Sequence, residues 1–584
     1  MRKYTIYLLS VVFTVCVLPK VSAQKSARIY TDYQKNPVKS ILTDFSYAGY
    51  HYGEKAIPNL PLKVNVTQRG IIPNTGADLT VPIQKLIDEV GQSGGGVIFF
   101  PKGKYCVNMD TTRVQFLKID YDNVVLRGES DAPNGSVIFN GSNLIQEKIN
   151  PWISPSVIRF GYIIQPTELF WGISPLSPII RFDKSGSAAD PGSDGTILKA
   201  NLLTSVIKDS HKGDTKLMVA STKSIKASDV ILLGMYNTST DGNLIQDVLS
   251  YKPQDITPDL TVAHDAGVEG VASFQYLVEV KSVPASNIIV LKQPLRRDIL
   301  LKYKPVIAAA PMIREVGIEN MRFESAWDGT YLHHGGGKYS PRLSMIMDYG
   351  WDAVNFCRVA HGWMRNVSID NYTNPVYMQD CRNVTIENIK TSGHNGHCGV
   401  KLYAHASDNL IRNVRFESNY THILSGEGNV YGNVFSQIDY NFRDSLAGNF
   451  DFHGFAHRTY SPPAWNLFEQ ITGFDRINGG GAGFNMPHTA KYNVWWNVLA
   501  KGINRPTELF NHGIWSGKGI KTGHYKMYPG SIIVGYRSDN KPLLIDGTDN
   551  DRSDSLLYVE DLNKGPVYPI SLYEAQLKKR LVIK

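Results

Sequence analysis

The sequence predicts an all-β solenoid in which short parallel strands stack coil upon coil. One observation is a repeat of two amide residues, four or five positions apart, each followed by an apolar residue. Successive second amides lie 25, 20, 37 and 27 residues apart, a period typical of stacked coils with one insertion. The other observation is that short β-branched runs carry the repeat, and one coil cannot bury its apolar face without neighbours. The units are Asn383 with Asn388, Asn409 with Asn413, Asn429 with Asn433, Asn466 with Gln470, and Asn493 with Asn497.

The equivalence of these amides gives a specific expectation. We expect Asn388, Asn413, Asn433 and Asn497 to occupy equivalent positions in successive coils. Asparagine suits such positions because it tolerates left-handed backbone and its side chain can bond to its counterpart one coil away.

The first residues have the three regions of a secretory signal peptide. Residues 1–3 carry positive charge, residues 4–18 are apolar, and residues 21–23 have the small-residue pattern of a cleavage site. We expect cleavage after Ala23 and export to the periplasm, the cell surface or the medium. A membrane anchor is the alternative, but the apolar run is short for a bilayer span.

Net charge and composition restrict the partners. The chain of 584 residues has a formal charge of +8, and the signal region holds three basic residues, so the mature protein is near +5 (8 − 3). A modest positive charge is compatible with a polyanionic partner. The sequence has no basic run interleaved with aromatics, which argues against nucleic acid. The expected partner is therefore an acidic polysaccharide. We expect the protein itself to have no membrane span and to be a monomer.

The cysteines give no metal motif. Cys106, Cys357, Cys381 and Cys398 follow the signal, and none forms a CxxC pair, so no metal ligand is assigned. Cys357 and Cys381 are about one coil apart, which favours two stacked buried thiols, with a disulfide as the alternative. No cofactor is assigned with certainty, and Ca²⁺ stays open.

The N-terminal part of the mature chain carries a recognisable series of elements. Gly76-Ala77-Asp78 precedes an amphipathic helix, whose apolar positions run from Ile83 to Val90 at helical spacing. Three glycines break it at 94–96, and a strand at 97–100 ends in Phe-Pro, followed by Gly-Lys-Tyr. This series resembles the opening segment of the pectate-lyase-like right-handed parallel β-helix superfamily. The resemblance implies a right-handed parallel β-helix with a short N-terminal cap helix. The superfamily includes lyases, hydrolases, epimerases and tailspikes, so the fold does not settle the function.

Between the early and late coils, hairpin-type strands replace the coil spacing. Strand-like segments with hairpin turns at 212–219, 230–234, 276–280 and 288–291 predict a small inserted antiparallel β domain. The expected regions are a signal peptide (1–23), an N-terminal arm (24–65), the cap and first coils (66–194), the inserted antiparallel domain (195–305), the main β-helix with its groove (306–530), and a C-terminal tail or cap (531–584).

The groove is predicted from strand alternation. If Val400, Leu402 and Ala404 point inward, then Lys401, Tyr403 and His405 point outward together. Lys401 lies eight residues before the first amide of its unit, Asn409. The same offset in the following units selects Thr421, Arg458 and Asn485.

The stretched coil adds a second group of polar residues. The segment 451–460 holds several residues suited to acid–base chemistry, and such insertions often carry active sites. The predicted catalytic residues are Lys401, His453, His457, Arg458 and Tyr460. The predicted substrate-binding residues are His397, Tyr403, His405, Asn485 and His488.

These residue types favour β-elimination from a uronate polymer. Such a lyase must neutralise the substrate carboxylate, take a weakly acidic carbon-bound proton and protonate the leaving oxygen. Arg458 would pair with the carboxylate, Lys401 would add charge or act as base, His457 or His453 would be the alternative base, and Tyr460 the acid. Glycosaminoglycan, alginate and pectin-like polymers are the expected substrates.

Two other functions stay open at this point. A glycoside hydrolase needs a pair of carboxyl groups, for which Asp380 and Asp451 are the best candidates, and the same two could bind Ca²⁺. A non-catalytic glycan-binding surface protein is the third possibility.

Overall fold

The structure is a computed structural model. It describes residues 26–145, 156–161, 181–182, 188–189, 202–236, 243–249, 272–333, 341–440, 448–453, 455–456, 459–460, 462–479, 487–502, 505–511, 523–546 and 556–583. The expected signal peptide lies outside these residues. Within them, no helix is both long and apolar enough to span a bilayer.

Two long sheets, in which all strand pairs are parallel, run the length of the molecule. Sheet 1 comprises Leu62–Asn65, Gly96–Phe100, Gly103–Val107, Val124–Gly128, Ser136–Asn140, Gly317–Ser325, Trp363–Asp370, Thr385–Ser392, Leu410–Phe416, Val434–Tyr440, Leu467–Glu469, Val494–Trp496, Ser531–Val534 and Leu557–Glu560. Sheet 2 comprises Leu117–Ile119, Ile158–Phe160, Asp352–Cys357, Asn374–Gln379, Gly396–Tyr403, Tyr420–Glu427, Gly448–His453 and Phe474–Gly479. In the main body the chain alternates between the sheets, so each turn adds one strand to both. The predicted right-handed parallel β-helix is confirmed.

Shorter pairings complete the coils. Outside the two sheets, a further set of parallel bridges links successive coils through Ala360, Arg382, Ser407, Tyr431 and Ala464. The remaining short strands pair as Ile313–Arg314 with Val359–Ala360, Leu499–Ala500 with Arg537–Ser538, Thr507–Glu508 with Leu543–Leu544, Phe455–Ala456 with Thr459–Tyr460, and Arg181–Phe182 with Ala188–Ala189. The helices are Arg28–Lys35, Thr80–Gln92, Asn243–Leu249, Pro341–Tyr349 and Leu572–Ile583.

The interior is held by side chains that stack between coils. The rings of Phe435 and Phe468 stack at 4.9 Å, and those of Phe468 and Trp495 at 5.6 Å. At one corner, buried asparagines form a hydrogen-bonded column at 2.9–3.0 Å per step, running through Asn409, Asn433, Asn466 and Asn493. A second column has φ between 51° and 58° and contains Asn320, Asn366, Asn388, Asn413, Gln437, Gln470 and Asn497. The amide repeat therefore marks two corners of each coil.

One position of the expected alignment is wrong. Asn388, Asn413 and Asn497 do share the second column, but Gln437 occupies the equivalent position in the coil of Asn433. Asn433 belongs to the first column, beside Asn409. The misalignment arises because Asn429, four residues earlier, imitates the repeat. The side chain of Asn429 instead accepts a hydrogen bond from the backbone N–H of Gln275 in the insert, at 3.0 Å.

The helix Thr80–Gln92 covers the N-terminal end of the coil stack. Its buried apolar face, including Ile83 and Ile87, closes a core that would otherwise meet water. Asp78 accepts a hydrogen bond from the N–H of Thr80 at 2.9 Å, which fixes the start of the helix. After the helix, Gly95 has φ +91°, and a Cβ there would lie 2.5 Å from Asn123, which explains the glycine run. The cap helix of the predicted fold is confirmed.

The first and last described segments pack together on the outer side of sheet 1. The N-terminal arm, residues 24–65, begins with the helix Arg28–Lys35. Its aromatic residues pack against the C-terminal helix Leu572–Ile583 and against strand residues such as Val434. The buried carboxylate of Glu469 anchors that helix, because it accepts hydrogen bonds from Ser571 Oγ and the N–H of Leu572, both at 2.6 Å.

The insert is an antiparallel sheet packed against one corner of the β-helix. Its six strands, in spatial order, are Leu202–Ser205, Val306–Ala309, Val230–Tyr236, Ala272–Ala285, Ile288–Leu291 and Lys216–Met218. Its main polar anchor on the β-helix is Asp408, a fully buried carboxylate. Asp408 accepts hydrogen bonds from Tyr276 at 2.6 Å and Gln293 at 2.9 Å, and it forms an ion pair with Arg296.

A second buried cluster joins the insert to the corner of the β-helix. His361 Nε2 lies 2.9 Å from Glu279, whose carboxylate also accepts a hydrogen bond from Tyr52 at 2.7 Å. Burial lowers the pKa of His361 to about 4, although Glu279 opposes this. Burial alone would raise the pKa of Glu279, but the hydrogen bond and charge of His361 lower it overall.

This cluster predicts loss of stability in mild acid. Because the pKa of His361 is lower in the folded than in the unfolded chain, the unfolded state binds more protons between about pH 6.5 and pH 4. His361 should therefore cost about 2 kcal/mol of unfolding free energy between pH 7 and pH 5. Chemical denaturation should show a smaller loss over this range in His361→Gln than in the wild type. The exposed His211, replaced by Gln, is the control. An unchanged pH dependence in His361→Gln would contradict the prediction.

The cysteines behave as buried apolar residues. Cys106, Cys357, Cys381 and Cys398 are all free and buried. Cys357 and Cys381 therefore do not form a disulfide.

Candidate functional site

Polar side chains collect on the outward face of sheet 2. In the strand Gly396–Tyr403, Val400 and Leu402 are buried in the core, so Lys401 and Tyr403 point away from it. Strand pairing aligns Lys401 with Tyr377 in the preceding coil and with Ser425 and then Asp451 in the following coils. The parallel column contains Gln379, Tyr403, Glu427 and His453. The face therefore brings a cation, carboxylates and imidazoles together.

Lys401 is held as a cation. Its Nζ lies 3.2 Å from Glu427 and 5.8 and 5.5 Å from the ring centroids of Tyr377 and Tyr403. Burial would lower the pKa of Lys401, but the charge of Glu427 outweighs burial and raises it. Lys401 is therefore protonated at neutral pH. It can stabilise negative charge, and it is poorly suited to act as a base.

Asp451 holds two histidines. Its carboxylate lies 2.9 Å from Nδ1 of His422 and 2.7 Å from Nε2 of His453. Burial alone would raise the pKa of Asp451, but the two histidines keep it well below its usual range. Burial would lower the pKa of His453, whereas Asp451 raises it above its ordinary value. Burial lowers the pKa of His422, against the effect of Asp451.

Two further histidines complete the group. His333 lies in the segment after the strand Gly317–Ser325 and crosses over the face, held by the hydrogen bond between Tyr331 and Thr421 at 2.6 Å. The rings of His333, His397 and His422 are 5.0–5.1 Å apart. Asp348 and Tyr349, from the end of the helix Pro341–Tyr349, pack against His397. We call the set His333, Asp348, His397, Lys401, Tyr403, His422, Glu427, Asp451 and His453 the site cluster.

The expected register of Lys401 with Arg458 is wrong. Asp451 occupies the position aligned with Lys401 in the stretched coil, and Asn478, not Asn485, follows it. Ser425 rather than Thr421 precedes it, since the true column amide is Asn433 and not Asn429. The insertion lies after Asp451, so counting eight residues back from Asn466 stops short of the strand Gly448–His453.

Two predicted substrate-binding residues lie elsewhere. The alternation of the strand ends at Tyr403, and Ala404 adopts φ +51°, so His405 turns into the corner. There it is buried between Asp380, at 2.6 Å, and Gln275, at 2.9 Å. His405 therefore does not share the face of Lys401. His488 is fully buried and lies 5.3 Å from the ring of Tyr528, so it cannot contact a polymer on this surface.

The remaining predicted residues divide into two sets. Lys401, Tyr403, His397 and His453 belong to the site cluster. His457, Arg458 and Asn485 lie outside the described residues, and only the backbone of Tyr460 is described, in the strand Thr459–Tyr460.

Sequence reasoning missed the roles of five members of the cluster. Glu427 lies outward, one coil step from both Tyr403 and His453, so correct alignment on Asn433 would have found it. His422 is paired with Cys398 and lies two residues before the buried Leu424, so alternation along the strand does not select it. The sequence suggests Asp451 only as a carboxyl group for hydrolysis or for Ca²⁺ binding, and not as the partner of His422 and His453. His333 follows the strand Gly317–Ser325 and Asp348 lies in the helix Pro341–Tyr349, and the coil repeat carries no information about either position.

Comparison with known proteins gives fold-level similarity alone. No protein-family model matches the chain, and no curated protein does. Among solved structures, a tailspike protein from Pseudomonas phage LKA1 matches with TM-score 0.37 and 10% identity over 86% of this chain and 81% of its own. An exopolygalacturonase from Thermotoga maritima matches with TM-score 0.38 and 9% identity over 83% of each chain. The A-module of a mannuronan C-5 epimerase from Azotobacter vinelandii matches with TM-score 0.38 and 9% identity, over 87% and 96%.

The fold itself follows from the strand pairing of this chain. Parallel strands alternate between two sheets, amide columns mark the corners, and a short helix covers the first coil. This chain has a right-handed parallel β-helix fold.

Proposed function

We propose that the protein is an exported polysaccharide lyase that cleaves a uronate-containing polymer by β-elimination. A glycosaminoglycan, alginate or a pectin-like polymer would be the substrate. The observation that supports this most strongly is the pairing of a fixed cation with an Asp–His pair on one face. The strands that carry Lys401 and His453 are two steps apart in sheet 2, a separation of about 10 Å, and His453 lies two residues further along than the position aligned with Lys401.

Each group has a definite part in the proposed reaction. Lys401 binds the uronate carboxylate and stabilises the negative charge that develops when the adjacent carbon loses its proton. His453 accepts that proton at Nδ1, because its Nε2 faces Asp451. The electron pair of the broken C–H bond forms a C=C bond, and the C–O bond to the leaving sugar breaks. The leaving oxygen then takes a proton, for which Tyr403 and Tyr460 are the proposed donors. Arg458 and His457 remain proposed members of the site.

Hydrolysis is less well supported by the carboxyl groups of the site. A glycoside hydrolase needs one protonated and one ionised carboxyl group on either side of the bond. Burial raises the pKa of Asp352 well above its ordinary value, but its side chain is buried and bonded to Asn374 at 2.6 Å. Asp380, one of the two carboxyl groups that the sequence suggested for hydrolysis, contacts His405 in the corner of the coil. The carboxylates of Glu427 and Asp451 are occupied by Lys401 and by the two histidines.

A panel of acidic polysaccharides tests this proposal. We expect at least one uronate polymer to release fragments that absorb in the ultraviolet, since β-elimination conjugates the new C=C bond with the carboxylate. New reducing ends without this absorbance would instead show a hydrolase. Binding to a polymer without any cleavage would favour a glycan-binding protein.

A further inference from the structure

We infer that His333, His397 and His422 bind a single transition-metal ion of the zinc class, with Asp348 as the fourth ligand. Nothing in the motif content of the sequence indicates this site, because its ligands are spread over about 90 residues and three separate segments. The inference does not depend on the proposed lyase reaction.

The spacing of the ligand atoms fits one ion. Each of the three histidines offers a ring nitrogen, and these atoms all lie within 4.8 Å of one another. One oxygen of Asp348 lies 3.6 Å from Nδ1 of His333 and 3.6 Å from Nδ1 of His397. Two ligands bonded at about 2.0–2.1 Å to a tetrahedral ion are about 3.4 Å apart. The three imidazoles therefore need only small movements to close around an ion, and Asp348, which contacts two of them, must move further to become the fourth ligand.

The fold holds these ligands in place. His397 and His422 come from neighbouring strands of sheet 2, where His422 is paired in register with Cys398. Asp348 lies at the buried end of the helix Pro341–Tyr349. His333 is tethered through the hydrogen bond between Tyr331 and Thr421. Ligands on rigid strands can define a metal geometry before the ion arrives.

His422 has a carboxylate beside one ring nitrogen, as metal-binding histidines typically do on the nitrogen that does not bind the metal. Asp451 lies 2.9 Å from Nδ1 of His422, which leaves Nε2 for the metal. The same carboxylate contacts His453, so the metal site and the proposed base share one support.

The donor set selects the class of ion. Three imidazoles and one carboxylate suit Zn²⁺ and neighbouring first-row ions such as Co²⁺, Ni²⁺ and Cu²⁺. Ca²⁺ and Mg²⁺ prefer sites made of oxygen ligands. The Ca²⁺ alternative raised by the sequence is therefore not served by this cluster.

Titration of the full mature chain, without an affinity tag and after chelator treatment, tests the site. We expect one equivalent of Zn²⁺ to bind by calorimetry, and one equivalent of Co²⁺ to give visible absorption that Zn²⁺ removes. His397→Gln and His422→Gln should weaken Zn²⁺ binding by at least about a hundredfold, and Asp451→Asn by about 10–100-fold. The exposed His211, replaced by Gln, should bind as the wild type does. Circular dichroism confirms folding of each variant.

The outcomes separate this site from the proposed lyase reaction. A wild-type chain that takes up no Zn²⁺ or Co²⁺, or folded His397→Gln and His422→Gln variants that bind as tightly as the wild type, would overturn the inference. If these variants do not fold, the Co²⁺ spectrum of the wild type decides, because absence of a one-to-one spectral endpoint excludes the site. Metal binding is measured without substrate, so a failed search for lyase activity leaves this test intact, and the reverse also holds.

Discussion

Replacement of His453 by glutamine is expected to reduce turnover of the cleaved polysaccharide by about 10²–10⁴-fold, the usual effect of losing a positioned acid or base. Glutamine keeps a hydrogen-bonding group near Asp451, so the local fold should persist, but it cannot accept the proton. Because Lys401 and Glu427 are left in place, KM should change much less than kcat. Steady-state kinetics on the polymer identified in the panel provides the measurement.

A neighbouring histidine supplies the matched control. His394 is exposed and lies before the strand that carries Lys401, with its ring 5.8 Å from that of Trp327. His394→Gln should retain turnover within a few-fold of the wild type. Equal kcat values for His453→Gln and the wild type would remove His453 from the reaction.

Replacement of Asp408 by alanine is expected to lower the free energy of unfolding by about 3–5 kcal/mol, the usual cost of breaking a buried ion pair from one side. Asp408 and Arg382 are fully buried, and Arg296 nearly so, and the two guanidinium groups reach the carboxylate from either side of the interface between insert and β-helix. The substitution leaves these charges, together with Gln293 and Tyr276, without their common acceptor. Denaturant unfolding followed by tryptophan fluorescence measures the change.

An exposed ion pair gives the comparison for this effect. Asp32 lies 3.1 Å from Lys35 on the helix Arg28–Lys35, and both side chains are largely exposed. Asp32→Ala should cost at most about 1 kcal/mol, since such surface pairs contribute little. Similar losses in Asp408→Ala and Asp32→Ala would show that the buried network does not anchor the insert.

The repeating parts of the fold could be predicted because they repeat. Asn388 and Asn413 stack one above the other, and the requirement for a left-handed residue at that corner recurs in each coil. The cap helix was also predictable, since its apolar residues recur at helical spacing. Errors arose where a residue imitated the repeat, as Asn429 does, or where an insertion shifted the count, as it does before Asn466.

The site was predictable only along the strands. Alternation in one strand correctly placed Lys401 and Tyr403 outward. Alternation could not show that the strand ends at Tyr403, because Ala404 adopts φ +51°, a conformation that its residue type does not predict. His333 and Asp348 approach the face from a segment distant in sequence, so long-range packing alone reveals them.

Mass spectrometry of the fragments released from a uronate polymer tests the central claim most directly. β-Elimination by the site cluster predicts fragments whose non-reducing end is one water lighter than the hydrolytic product, at a rate that falls at least about a hundredfold in His453→Gln. Fragments with the full mass of hydrolysis, released at equal rates by the wild type and His453→Gln, would contradict the account.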